Sequence, residues 1–211
     1  MKRCRIFLLR IVMVAIAIFV VCYGYALIGK PGEQVKDESP RVESQEPRQD
    51  SDPVYGSGWT EQTVGGLVFK TPMMLERSDT LSKQSPDPLG IAKFDCYTAK
   101  GTEGSLVLCT SRYKTGSANL DEYLATIINY TRSPSLTQYE SSVTAHPVGN
   151  LEGKIARITA RHGEEEVQFS SLVFTKGEKL WHFLVGGKPG EVDRASKMIF
   201  DSITVPEEDA R

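Results

Sequence analysis

GKIARITARHGEEEVQFSSLVFTKGEKLWHFLVG, residues Gly153 to Gly186, decides the fold. Three strand-like runs, Gly153–Arg161, Glu165–Thr175 and Lys179–Gly186, are separated by the short turns His162-Gly163 and Lys176-Gly177. Centring the turns on those dipeptides sets Ile158 opposite Val167, Ala156 opposite Phe169 and Val173 opposite Leu180, all on one apolar face. The other face carries Arg157, Arg161, Glu164 and Glu166 at one end and Leu172, Trp181, Phe183 and Val185 at the other. A sheet apolar over much of both faces needs cover on both, and helices are the available cover.

Two amphipathic segments supply it. Asn119 is a helix N-cap with Glu122 three residues on, and Leu120, Leu124, Ile127 and Ile128 form an apolar stripe before Pro134. A second helix is expected after Pro189-Gly190, with Glu191 and Asp193 in its first turn and Val192, Ala195, Ile199 and Ile203 on its apolar side. Thr63 to Thr71 reads as one strand stopped by Pro72, and Met73 to Gly90 as a long surface loop. Thr137 to Ala145 is a further strand before the turn Pro147-Val148-Gly149-Asn150.

Ile91–Ala99 and Ser105–Tyr113 read as a hairpin around Gly-Thr-Glu-Gly. With Thr102-Glu103 at its tip, Cys96 faces Cys109. Opposed residues have Cβ atoms about 4.5–5.5 Å apart, within small adjustment of disulfide geometry. In an oxidising compartment these two form a disulfide, and otherwise they pack as small apolar thiols. Without a Cys-x-x-Cys pair, redox catalysis has no support.

The body is tethered. Ile11 to Ile28 is an uncharged apolar run of 18 residues preceded by Lys2, Arg3, Arg5 and Arg10. As a helix it would span about 27 Å, near the hydrocarbon thickness of a bilayer. It is longer than the apolar core of a cleavable signal, and Gly24-Tyr25-Ala26 is a poor cleavage site, so a retained single-pass anchor is the reading and cleaved export the alternative, with residues 1–10 cytoplasmic and the body extracytoplasmic. A lipid on Cys22 is disfavoured by Val21. Residues 29–58, with Pro31, Pro40, Pro47 and Pro53 among polar and charged side chains, read as a disordered linker. Residues 59–206 form the domain and 207–211 an acidic tail.

The series Gly-Gly-Leu-Val-Phe-Lys-Thr-Pro (65–72), the helix after Asn119, the long meander and Met-Ile-Phe-Asp-Ser-Ile (198–203) resembles the PsbP-like superfamily, which includes PsbP, Mog and DcrB-like domains. The resemblance covers about Thr63 to Val205. It implies an α+β fold, an antiparallel sheet flanked by helices in an α/β/α sandwich. It also implies a binding or assembly protein rather than an enzyme, and it transfers no functional residue.

The residues offer little chemistry beyond the cysteines. His182 lies on the apolar face of the meander, opposite Ser171 in the register above, as a core histidine. His146 and His162 sit at turns, and the three histidines show no metal-ligand spacing. Glu164-Glu165-Glu166 reads as a solvated turn. Gly186-Gly187-Lys188-Pro189-Gly190 lacks the spacing of a phosphate loop and is followed by Glu191 and Asp193, so it reads as a strand-to-helix turn. Asn129-Tyr130-Thr131 is a glycosylation triplet inside a predicted helix. No catalytic, cofactor or metal set emerges, and a net charge of −2 implies no general attraction to nucleic acid. The expected function is an envelope accessory protein that binds a protein partner, without cofactor. The alternatives are a small-ligand or lipid-binding module with a pocket near Trp181 and Phe183, and an enzyme whose site only the fold assembles.

Overall fold

A computed structural model describes residues 58–82, 91–100 and 104–206. The anchor Ile11–Ile28, residues 29–57 of the linker, the hairpin tip Thr102-Glu103 and the acidic tail lie outside the described residues. Among the described residues no helix is long and apolar enough to cross a membrane.

The meander and its neighbours build one antiparallel sheet of seven strands. The strands are β3 (Glu76–Arg77), β4 (Ile91–Lys100), β5 (Gly104–Tyr113), β6 (Leu136–Ala145), β7 (Gly153–His162), β8 (Glu165–Lys176) and β9 (Lys179–Gly187). Their order is β3-β4-β5-β9-β8-β7-β6. A separate hairpin pairs β1 (Thr60–Val64) with β2 (Leu67–Thr71). The helices are α1 (Asp79–Ser82), α2 (Leu120–Thr131) and α3 (Pro189–Asp201). The fold is α+β, mostly antiparallel sheet.

Alternation along β8 and β9 sends side chains to two cores. Leu172, Phe174, Trp181, Phe183 and Val185 pack with Val192, Ala195 and Ile199 of α3 and with Leu67 and Phe69 of β2. Val173, Leu180 and Ala156 pack with Leu120 and Leu124 of α2, and Ile158, Phe169 and Leu184 with Ile127. Cover on both faces therefore comes from helices, as the apolar pattern demands, with the β1–β2 hairpin completing the α3 side. Asn119 caps α2, its Oδ1 accepting from the backbone N–H groups of Asp121 at 3.0 Å and Glu122 at 3.3 Å. Lys188 is the N-cap of α3 and Pro189 its first residue, so this helix starts before the Pro189-Gly190 break expected from sequence. It ends at Asp201. Ile203 therefore lies beyond the helix, packed against the α3-side core.

Three further expectations need correction, and turn geometry explains most of it. Thr63–Thr71 is not one strand. Gly65 and Gly66 have φ of 62° and 79°, which makes them the central pair of a two-residue turn needing positive φ twice, and the chain folds back there. In the meander the expected register is off by two residues at both turns. Ile158 faces Phe169, Ala156 faces Ser171, Val173 faces His182 and Thr175 faces Leu180. Gly163 and Gly177 have φ of 63° and 58° while Glu164 and Glu178 do not lie at positive φ, so each glycine holds the first central position, as in a type II′ turn. The turns are thus Gly163-Glu164 and Gly177-Glu178. A slip of two preserves every side chain's face, which is why the predicted faces hold. Finally, the described part of Met73–Gly90 is no simple surface loop. It contributes β3 and α1, and Leu75, Leu81 and Ser82 are buried.

Candidate functional site

Cys96 faces Cys109 across β4 and β5, with Cα atoms 4.2 Å apart, and the two form a disulfide. Cys96 spends its backbone groups on the other side: its N–H donates to Ser82 Oγ at 3.1 Å and its C=O accepts from Ser78 N at 2.8 Å. The cysteines are therefore a non-hydrogen-bonded pair, the type with the closer side chains. Both are buried in the α2-side core beside Leu81, Phe94 and Val107. One residue away, Asp95 is buried on the opposite face and takes charge from two cations. Arg77 Nη2 lies 2.8 Å and Arg77 Nε 3.1 Å from Oδ1, and Lys93 Nζ 3.0 Å from Oδ2. Burial pushes this carboxyl up, but the hydrogen bonds from Lys93 and Arg77 and their charges outweigh it and hold it below its ordinary value. The cluster ties β3 to β4 at this end of the sheet.

His182 is the second polar feature. It is 2% exposed on β9, under α2. Its Nδ1 is 3.3 Å from the hydroxyl of Tyr123, and its Nε2 is 2.9 Å from Ser171 Oγ. The Tyr123 and His182 rings meet edge to face at 5.5 Å. Either neutral tautomer satisfies both nitrogens, each hydroxyl taking the complementary role. Burial holds the imidazole pKa down at about 4, and burial also raises the Tyr123 phenol. Ser171 is fully buried. The expected register set Ser171 directly opposite His182. The observed one sets it diagonally, still within reach on the same face. A serine, a histidine and a tyrosine in contact resemble the makings of a nucleophilic site, but this set faces an interior filled by Leu120, Leu124 and Val173. Tyr123 carries no sequence signal of its role. It sits between Leu120 and Leu124 on the helix, and only the α2–β9 contact brings it to His182.

Trp181 and Phe183, the expected pocket residues, lie in the α3-side core. Trp181 stacks on Phe174 at 5.2 Å, and its Nε1–H donates to Gly65 O at 2.9 Å, under the β1–β2 turn. Phe183 meets Phe69 edge-on at 5.1 Å and Phe200 at 6.2 Å. Their rings are thus surrounded by the protein's own aromatic groups.

The remaining candidates fall as follows. Gly186 to Gly190 joins β9 to α3 as a strand-to-helix turn. Asn129 is exposed within α2. His162 ends β7 opposite Glu165, and His146 is half-buried against Phe200 at 6.3 Å. Arg161 Nη2 donates to the backbone O of Glu164 at 2.8 Å. Among the described residues no three His, Cys, Asp or Glu side chains converge on a point where a metal could sit.

No family model matches this chain, and no curated protein matches it. Among solved structures it is similar to a crystal structure of PA94 from Pseudomonas aeruginosa, a protein of unknown function described as a candidate regulator. That similarity has 13% sequence identity and a TM-score of 0.38, and it covers 64% of this chain and 98% of that one. At that level the likeness bears on neither fold family nor function.

Proposed function

We propose that this chain is a membrane-anchored, extracytoplasmic binding or assembly protein of the cell envelope, built on a PsbP-like α/β/α sandwich and acting without catalysis or cofactor. The Cys96–Cys109 disulfide carries the reading, because such bonds persist in oxidising compartments and are rare in the cytosol. The apolar run Ile11–Ile28, preceded by four basic residues, supplies the anchor and its orientation. Two aspects of the domain support binding over catalysis. Its polar interior group, His182 with Ser171 and Tyr123, is enclosed by the core, and its aromatic cluster is packed with its own rings. What is left to act is the surface, held near the bilayer by its tether.

The test is cross-linking in intact cells with tagged full-length protein, followed by mass spectrometry, beside a version keeping residues 1–58 but lacking the domain. An envelope protein recovered only with the domain present is the expected result. A reporter active only in the cytoplasm, fused after Arg211, should stay silent. Strong reporter activity, or recovery of nothing above background, overturns the proposal.

A further inference from the structure

The two edges of the sheet are built differently. At one edge β3 is only two residues long, both charged, and its Arg77 is engaged with Asp79 and Asp95. Short charged edges of this kind resist pairing with other chains. At the other edge β6 runs ten residues with one charge, Glu140, and no proline or lysine. Among the described residues it pairs only with β7. We propose that β6 pairs antiparallel with β6 of a second copy of this chain, centred on Val143, joining two seven-stranded sheets into one.

The hydrogen-bond parity defines the register. His146 N donates to Gly153 O at 2.8 Å, so the residues two and four positions earlier, Thr144 and Ser142, also direct their backbone groups at β7. Ser141, Val143 and Ala145 therefore direct N–H and C=O outward. Pairing about a two-fold axis at Val143 sets Val143 against its own copy and Ser141 against Ala145 of the other, using all of these groups. On the opposite face the same register sets Ser142 against Thr144 and Glu140 against His146. Ser142 with Thr144 and Glu140 with His146 are complementary polar pairs, Ser141 meets only the small Ala145, no like charges oppose, and Val143, 44% exposed in the single chain, is covered. The bulge between Thr137 and Glu140, where Gln138 has φ 49°, interrupts the strand before this segment and leaves it regular. The chain's own linker is a poor occupant of the edge, since its longest stretch between prolines, residues 32–39, has eight residues of which Glu33, Lys36, Asp37 and Glu38 are charged.

The test uses full-length chain in membranes, with Cys4→Ser and Cys22→Ser as background and a mild oxidant. Val143→Cys should give a covalent dimer, since a hydrogen-bonded antiparallel pair holds Cα atoms about 5.5 Å apart. Glu140→Cys should give at least tenfold less. Ser141→Cys and Ala145→Cys should each fail alone, their copies being about 13 Å apart in this register, but cross-link when combined in one chain. In that double variant, Val143→Pro removes an outward N–H that β7 does not use and should abolish the dimer. Val143→Lys should do the same by placing two ammonium groups face to face, and it keeps the test valid if the proline disturbs folding. The proposal is overturned by absence of the Val143→Cys dimer, by equal cross-linking at every position, or by capture of a different protein at Val143→Cys.

Discussion

Acidification should destabilise this domain through His182. The imidazole is enclosed, and its pKa in the folded protein is held near 4, against an ordinary 6.5. Between those two values the unfolded chain binds a proton that the folded one does not, so stability rises with pH through this window and is lost as pH falls. A group lowered this far contributes roughly 3 kcal/mol of destabilisation by pH 4, of which about 2 kcal/mol is present at pH 5 and almost none at pH 7. Asp95 adds a loss in acid of the same direction, because its carboxyl is held below its ordinary value. The His182 share is isolated by His182→Gln, whose amide can bond the Tyr123 and Ser171 hydroxyls but does not titrate. Urea unfolding at pH 7 and pH 5, followed by tryptophan fluorescence, should show the wild type losing about 2 kcal/mol more than the variant. The absolute stability of the variant does not enter the comparison. Equal losses in the two proteins would refute the reasoning, as would a His182 proton resonance that titrates near 6.5.

Three further outcomes are expected. Replacing Cys96 and Cys109 together with alanine should cost about 3 kcal/mol in a denaturation curve, because the bond closes a short loop of the unfolded chain. Gly177→Ala should cost roughly 1–3 kcal/mol at its φ of 58°, while Gly190→Ala, with open space around its Cβ position and a place in the first turn of α3, should be neutral or stabilising. Ile199→Ala, fully buried against the sheet, should cost about 2–5 kcal/mol, whereas its exposed neighbour Met198→Ala should stay within about 0.5 kcal/mol. Thermal unfolding of each pair checks both, and equal shifts within a pair would refute the burial or the turn assignment.

Legibility differed sharply between levels. The two cysteines were readable because a Gly-Thr-Glu-Gly tip leaves few registers for one hairpin, and Cys96–Cys109 pairing follows from it. The meander's faces were readable because alternation has a period of two. Gly65-Gly66 was visible as a turn dipeptide but lies inside an apolar run, and strand propensity masked it. The polar cluster was only half legible: His182 stood out, while Tyr123 looked like any residue on an amphipathic helix.

Amino-acid order alone determined which meander side chains share a face of the sheet, where α2 is capped and stripes its apolar face, and that Cys96 meets Cys109. These are properties of single segments, set by the periods of helix and strand, by a cap three residues long and, for the cysteines 13 residues apart, by the register of one hairpin. The tertiary structure decided which central position each turn glycine occupies, and so the two-residue shift in the meander. It also placed Tyr123 on His182, set Gly65 O over Trp181, and left β6 rather than β3 as the long open edge. Each of those depends on contacts between residues far apart in the chain, or on the sign of one backbone angle, and composition and periodicity are the same whichever way they fall.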